Sequence, residues 1–130
     1  MLYALQVQGT LPDSMAAHSA LAFARALLDR GHQIHRVFFF NGGATIANAL
    51  SVIEQDEIDL AAEWLALAAE HGFELTVCVA AGQRRGMIAT AEQQRYEKPA
   101  ASARDGFEVA GLGQLVEAAV TADRLITFPA

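Results

Sequence analysis

Glu74-Leu-Thr-Val-Cys-Val-Ala-Ala81 is a mostly apolar, strand-like run, and it predicts a buried β-strand. The run ends at Gly82-Gln-Arg-Arg-Gly86, a turn bounded by glycines that carries two cations. Open α/β folds place reactive groups at such a junction, outside the carboxyl end of a strand. Cys78 is the only cysteine of the chain and lies next to this junction. It is therefore the leading candidate for chemistry.

Strand-like runs and helical patterns alternate along the rest of the chain. This alternation is typical of βαβ units and predicts an α/β fold with a mainly parallel sheet of about five strands. No linker or internal repeat interrupts it, so we expect one domain over residues 1–130. Strands are predicted near 2–8, 34–40, 74–81, 107–109 and 124–128, and helices near 14–30, 56–71, 83–96 and 113–122.

Local signals mark where some of these elements begin and end. Asp13 or Ser14 can cap the first helix, because their side-chain oxygens accept hydrogen bonds from free backbone N–H groups. Gly31 supplies the left-handed residue expected just past the end of that helix. Residues 44–53 fit either a short helix or an ordered excursion. Four carboxylates over 54–59 suit the positive end of a helix dipole better than a metal site.

Two helices carry apolar residues at helical spacing. In the helix at 56–71, one stripe contains Ile58, Ala62, Leu65 and Ala69, and a second contains Leu60, Trp64 and Leu67. One stripe is enough to cover the sheet, so we expect the second to contact another subunit. In the helix at 113–122, we expect Leu115, Val116, Ala119 and Val120 on or near the inner face.

Composition excludes several classes of protein. The apolar fraction of 53% and the charged fraction of 18% exclude a disordered chain, and 130 residues are enough to build a core. The net charge is −6, and the only tight cationic cluster is Arg84-Arg85. A protein that grips phosphate backbones normally carries a basic stripe, so direct, extensive nucleic-acid binding is not expected.

The N-terminal residues and the cysteine count indicate a compartment. The chain begins with a strand-like run, Leu2-Tyr-Ala-Leu-Gln-Val7, without the pattern of a signal peptide. No stretch approaches the length of about 20 apolar residues that spans a bilayer. A single unpaired cysteine fits a reducing environment. We expect a cytoplasmic protein with no membrane contact.

Two interpretations of Cys78 follow from its residue type and its neighbours. Free cysteine is among the most buried residue types and commonly acts as a small hydrophobe. Alternatively, a helix that begins near Gln83, together with Arg84 and Arg85, would favour the thiolate, which is the nucleophile in sulfur transfer. Strand alternation also puts small side chains, Thr76 and Ala80, on the face of the thiol, which leaves space above the sulfur.

Other motifs predict no cofactor and no metal. His32 and His35 are three residues apart, a spacing that points them to opposite faces of a strand. Gly111-Leu-Gly113 lacks the third glycine of a dinucleotide-binding turn. The chain has no P-loop, no Gly-x-Ser-x-Gly elbow and no Cys-x-x-Cys pair. A flavodoxin-like cofactor binder is therefore a third interpretation without a phosphate loop to support it.

Several blocks of sequence carry a family resemblance. The segment Val77-Cys-Val-Ala-Ala-Gly-Gln-Arg-Arg-Gly86 resembles the cysteine segment of the DsrE/TusD sulfur-relay family. Gly31-His32 before Val37-Phe-Phe39, Gly111-Leu-Gly-Gln-Leu-Val-Glu-Ala118 and Ala122-Asp-Arg124 are similar to family blocks in the same order. The resemblance covers nearly the whole chain.

The resemblance implies a three-layer α/β/α domain and a sulfur carrier. In this family a cysteine, which matches Cys78 by its place in the motif, holds sulfur as a persulfide. Members work in heterohexamers with related subunits, TusB/TusC-like or DsrF/DsrH-like. They receive sulfur from a TusA-like donor and pass it to a TusE/DsrC-like acceptor. The acceptor leads to 2-thiouridine at the tRNA wobble position in one branch and to dissimilatory sulfur oxidation in the other.

The resulting expectation is a sulfurtransferase subunit that accepts sulfane sulfur on Cys78. Gln83, Arg84 and Arg85 are expected to favour the thiolate or to position the donor. A carrier persulfide must be reachable by the thiolate of a partner and shielded from stray thiols, so we expect the sulfur at the mouth of a pocket. The alternatives are a DsrE-type subunit of sulfur oxidation and a non-catalytic structural subunit with an inert thiol.

Overall fold

Five parallel strands form one sheet in the computed structural model, which describes residues 1–130. They are β1 (Leu2–Val7), β2 (Gln33–Phe39), β3 (Glu74–Cys78), β4 (Phe107–Ala110) and β5 (Arg124–Phe128). The spatial order is β4-β3-β2-β1-β5, so β1, β2 and β3 are internal and the two last strands form the edges. Every pairing is parallel, which confirms the predicted sheet.

Helices cover both faces of the sheet and complete three layers. On one face, Phe39 of β2 packs edge-to-face against Trp64 with ring centroids 5.6 Å apart. On the other face, the guanidinium of Arg36 lies 3.6 Å from the carboxylate of Glu117. Residues three apart in a strand point to opposite faces, so these two contacts lie on opposite sides. The helices are α1 (Ala16–Asp29), α2 (Leu60–His71), α3 (Val79–Gln83), α4 (Thr90–Arg95) and α5 (Gly113–Thr121), with a 3₁₀ helix at Asn41–Ala47.

The core lies mainly between the sheet and the layer of α1 and α2. Phe39 is its centre, since its ring also meets Phe107 of β4 at 5.9 Å. Trp64 is fully buried and donates its indole N–H to the carbonyl of Ala17 in α1, which ties the two helices together. Because α2 places Leu60, Trp64 and Leu67 in this core, the prediction that this stripe contacts another subunit is wrong.

The prediction for the inner face of α5 is confirmed for Leu115, which packs against the core, and is wrong for Val116, Ala119 and Val120. Only Ala118 of this helix is buried, while the side chains of Val116 and Val120 are exposed. The helix is held to the sheet by Glu117, which bonds to His35 of β2. A polar contact therefore accompanies the apolar packing of Leu115 and Ala118.

The helix starts lie within a few residues of the predicted ones. Ser14 Oγ accepts from the N–H of Ala16, the first residue of α1, whereas Asp13 makes no such bond and the N-cap residue, Met15, has no side-chain cap. Helix α2 begins at Leu60, four residues later than predicted, because Asp59 accepts from the N–H of Ala62 and ends the preceding loop. Gly31 has φ +86, the left-handed conformation expected after α1.

Asp59 also binds Arg104, and this pair fastens the loop before β4 to the start of α2. Arg104 donates to both carboxylate oxygens of Asp59, at 3.1 and 3.3 Å. This hydrogen bonding lowers the pKa of the Asp59 carboxyl from its usual value of 3.8.

No helix of the protein is both long enough and apolar enough to cross a membrane.

Asp59→Asn should remove the ion pair and keep much of the helix cap, because asparagine caps nearly as well as aspartate. The depressed pKa of Asp59 means that the stabilisation is present above pH 3.8 and is lost as the pH falls through the lower folded pKa. We expect the substitution to lower the free energy of unfolding at pH 7 by up to about 1 kcal/mol, since the pair is partly exposed.

Urea unfolding at pH 7 and near pH 2 checks this expectation, and the difference from wild type should vanish at the acidic pH. Asp13→Asn, at an exposed aspartate without an ion pair, is the matched control. An equal loss of stability at both pH values would contradict the account.

Candidate functional site

Cys78 is the last residue of β3, an internal strand. Its partner in the β3–β4 register is Ala110, and it lies on the same face of the sheet as Thr76, two residues earlier. The residue is 1% exposed and belongs to the buried core cluster. The sulfur therefore lies in the interior, at the carboxyl end of the sheet.

The strand passes into a helix without a loop. α3 begins at Val79, so Cys78 is the N-cap residue of a single-turn helix. A continuous helix over 83–96 was predicted, and this prediction is wrong: α3 ends at Gln83, a turn follows, and α4 occupies Thr90–Arg95. Gly86, with φ +72, makes the turn possible, because few other residues adopt this backbone conformation.

The prediction of an accessible thiol at the mouth of a pocket is also wrong for the isolated chain. Both β3 and α3 contact the 3₁₀ helix at Asn41–Ala47, which follows the neighbouring strand β2. The early start of α3 also turns Ala80 away from the strand face, so the space predicted above the sulfur is not formed by that residue. Cys78 lines neither of the two principal grooves of the surface.

The proposed supporting residues lie at the other end of α3. Gln83, Arg84 and Arg85 are exposed, and Arg85 donates back to the carbonyl of Ala81 at 3.0 Å. At 1.5 Å per residue, Gln83 lies about 8 Å along the helix from Cys78. Arg84 and Arg85 therefore lie near the cysteine in the fold, but they are on the surface. Neither of them forms a hydrogen bond to the sulfur.

A buried arginine network lies on the cysteine's face of the sheet, and sequence reasoning missed it. The register of β1 against β2 skips His35, so a bulge turns both His35 and Arg36 toward α5. Arg36 is buried, donates to the hydroxyl of Thr76 and lies 2.7 Å from the carboxylate of Glu74. The sequence signal for this network is a cation in an otherwise apolar strand, Ile34-His-Arg-Val-Phe-Phe-Phe40.

The carboxylates around Arg36 make this network acidic overall. Glu108 and Glu117 also lie within 4 Å of the guanidinium, so three carboxylates face one cation. Hydrogen bonds from His35 and then from Thr121 lower the pKa of Glu117, which keeps it ionised. The network stabilises the junction of β2, β3, β4 and α5, and it adds no positive potential at Cys78. No group of three His, Cys, Asp or Glu residues is placed to hold a metal ion.

Comparison with known proteins agrees with the fold. A family model described as the DsrE/DsrF-like family matches residues 1–128. This chain belongs to the DsrE/DsrF-like family.

Curated relatives and solved structures extend this finding. A protein named Sulfurtransferase TusD from Salmonella dublin is 44% identical over 128 residues, covering 98% of this chain and 100% of the relative. The protein of the same name from Salmonella typhi matches to the same extent. The crystal structure of the ychN protein from E. coli superimposes with a TM-score of 0.75 at 17% identity, over 98% of this chain and 99% of that one. That structure supports the fold, and its low identity carries no argument about function.

Gly82→Ala tests how tightly α3 is closed over the end of β3. A Cβ atom at this position would overlap the carbonyl oxygen of Met87, which is backbone and cannot easily move. We expect the free energy of unfolding to fall by about 1–3 kcal/mol, as is usual for overpacking. The displaced turn should also raise the rate at which iodoacetamide modifies Cys78 in the folded protein.

Gly111→Ala is the control, because a Cβ there meets no atom within 4 Å. Its Cys78 should be modified at the wild-type rate. If Gly82→Ala leaves both stability and thiol reactivity unchanged, the turn does not close the site.

Proposed function

We propose that this protein is a sulfur carrier and sulfurtransferase subunit that accepts sulfane sulfur as a persulfide on Cys78. The thiolate of Cys78 attacks the outer sulfur of a donor persulfide. The donor's S–S bond breaks, the donor cysteine leaves as a thiolate, and Cys78 becomes the persulfide. In the second step an acceptor thiolate attacks the outer sulfur on Cys78, which leaves as a thiolate in turn. Each step exchanges one S–S bond for another, so no oxidant is needed.

The observation that carries the proposal is the place of Cys78 in the fold of this family. It is the only cysteine, and it ends a central strand at the carboxyl edge, where open α/β folds bind their ligands. The relatives that share 44% of the sequence over nearly the full chain are named sulfurtransferases. No second side chain of comparable nucleophilicity is needed, because the attacking and leaving groups are all sulfur.

Burial of the sulfur makes local opening part of the mechanism. The persulfide of the donor, and later the thiolate of the acceptor, must come into contact with the sulfur at Cys78, and a residue that is 1% exposed cannot be reached without movement. The movable part is α3, a single turn of five residues between the end of β3 and the glycine at 86. Short elements with few packed side chains open at lower free energy than an internal strand. Between openings, the same burial protects the persulfide from stray thiols and oxidants.

Gln83, Arg84 and Arg85 are proposed to receive the donor at the outer end of α3. All three residues are exposed, and the cationic charge of Arg84 and Arg85 suits contact with a protein surface. They lie beyond the first turn of α3, so Cys78 is the one residue that bonds to the transferred sulfur. The proposed partners are TusB/TusC-like or DsrF/DsrH-like subunits of a heterohexamer, a TusA-like donor and a TusE/DsrC-like acceptor. We place the protein in the cytoplasm.

The proposed pathway is the relay that ends in 2-thiouridine at the tRNA wobble position. The names of the relatives favour this TusD branch over DsrE-type sulfur oxidation. The content of 2-thiouridine in tRNA from cells whose only copy carries Cys78→Ala distinguishes the two. A fall of that content supports the thiolation branch, and an unchanged content argues against it.

Burial of Cys78 favours one second candidate, a structural subunit with an inert thiol. Such a subunit would shape the assembly while a related chain carries the sulfur. The two candidates differ in one property, the transfer of sulfur to the folded protein.

Cys78→Ser and Cys78→Ala should both abolish sulfur acceptance and leave the fold intact. Wild-type protein incubated with a persulfidated donor protein should gain the mass of one sulfur atom, whereas both variants should gain none. Alanine is needed beside serine because an unpaired hydroxyl in an apolar site costs about 1–3 kcal/mol. Mass spectrometry of the intact protein under non-reducing conditions makes the measurement.

A folded variant that still gains sulfur would refute the role of Cys78. A folded wild-type protein that gains none from the donor or from inorganic polysulfide would favour the structural subunit.

A further inference from the structure

The charge of this protein is divided unevenly along the chain. Four of the nine cations, Arg84, Arg85, Arg95 and Lys98, fall within residues 84–98, together with two of the fifteen carboxylates. This segment therefore carries a net charge of +2, and the remainder carries −8. It is also the segment that follows the helix capped by Cys78.

These four cations are free of ion pairs. Among the other five, Arg25, Arg36 and Arg104 each bind a carboxylate of the same chain. None of the cations in 84–98 lies within 4 Å of a carboxylate. Arg95 instead lies over the ring of Tyr96, 5.3 Å from its centroid. The positive charge of the segment is thus not neutralised within the protein.

Four residues of the segment help to line a groove of about 360 Å³, and Lys98 is the one cation among them. Its lining consists of Gln83, Gly86, Ile88, Tyr96, Lys98 and Ala100. Ser102 fixes the side of the groove at Gly86 and Ile88: it is buried, and its hydroxyl donates to the carbonyl of Gly86 and accepts from the N–H of Ile88. A groove of this size holds a few side chains and is too small for a folded domain.

We propose that this groove binds a short acidic segment of the protein that exchanges sulfur with Cys78. The inference rests on the proposed function for the identity of the partner, and on charge complementarity for its chemistry. Gln83 lies about 8 Å along α3 from Cys78. An extended chain covers this distance in two to three residues, so the partner's cysteine lies that close to its acidic residues.

An acidic peptide fits the groove better than a nucleic acid does. A single-stranded nucleic acid needs a basic track along several nucleotides and aromatic faces for its bases. Here the charge outside the segment is −8, which repels a long polyanion, and Tyr96 is the only aromatic side chain of the groove. The same repulsion limits the acidic part of the partner to a short stretch.

Binding of a synthetic peptide tests the proposal without relying on sulfur chemistry. The probe is a fluorescent peptide with a stretch of four Asp or Glu residues. A serine, which replaces the reactive cysteine of the partner, is placed three residues from this stretch. The controls are a peptide with Lys in the acidic positions and an RNA oligonucleotide of equal charge. Fluorescence anisotropy should show at least tenfold tighter binding of the acidic peptide than of either control, and the affinity should fall as salt rises.

The double variant Arg95→Glu/Lys98→Glu should bind the acidic peptide at least tenfold more weakly than the wild-type protein does. Arg30→Glu/Arg124→Glu, which reverses two exposed cations that lack ion pairs outside the groove, should keep most of the binding. Equal losses in the two double variants would overturn the proposal, because they would show an effect of net charge alone. RNA that binds the groove as tightly as the acidic peptide would also overturn it.

Sulfur transfer separates this proposal from the proposed function. With the cysteine form of the peptide, persulfidated wild-type protein should transfer its sulfur faster than the Arg95→Glu/Lys98→Glu variant. Both should load equally well from inorganic polysulfide. If the protein is loaded with sulfur but does not bind the peptide, the proposal for the groove is refuted and the carrier role is retained. If it binds the peptide but is not loaded, the carrier role is refuted and the groove remains a peptide-binding site.

Discussion

The direct passage of β3 into α3 is the constraint on which the rest of the site depends. With no loop between Cys78 and Val79, the chain turns at the cysteine, and the following helix lies over the end of the sheet. The sulfur is consequently buried, and the next exposed residues that carry charge, Arg84 and Arg85, lie one helical turn further on. The residues proposed for chemistry and for recognition are thus separated by the length of α3.

The two faces of the sheet are built differently, and this difference isolates the site. The face toward α1 and α2 is a continuous aromatic and aliphatic core centred on Phe39 and Trp64. The opposite face carries Cys78, Thr76 and the buried Arg36 with its three carboxylates. Arg36 is buried while its carboxylate partners are about half exposed, and these contacts join β2, β3, β4 and α5 on the face that carries the cysteine.

Sequence reasoning predicted the sheet, its parallel direction and the helical layers well, because alternation of apolar runs reports burial directly. It failed where a single interaction overrode the pattern. Val116 and Val120 have helical spacing yet face solvent, since Glu117 and His35 decide which side of α5 meets the sheet. The predicted helix at 83–96 is broken in two by a turn that needs the left-handed conformation of Gly86.

For the proposed site, the sequence predicts Cys78 and its cationic neighbours as candidates but does not predict their arrangement. β3 ends at Cys78, so the strand alternation that predicts Ala80 beside the thiol stops two residues too early for the predicted space to form. The bulge at His35 could not be predicted either, because it depends on the pairing of β2 with β1. The family, by contrast, follows from blocks spread over nearly the whole chain, and the match to residues 1–128 agrees with it.

The denaturant dependence of Cys78 labelling tests the central claim, that α3 opens locally to expose a buried sulfur. The rate at which a thiol reagent modifies Cys78 is measured in the folded protein at increasing urea, and it is compared with global unfolding followed by circular dichroism. Local opening exposes little surface, so the free energy of opening should be smaller than that of global unfolding, with a much shallower dependence on urea. A labelling rate with the free energy and urea slope of global unfolding would contradict the account, since Cys78 would then be reachable only in the unfolded chain.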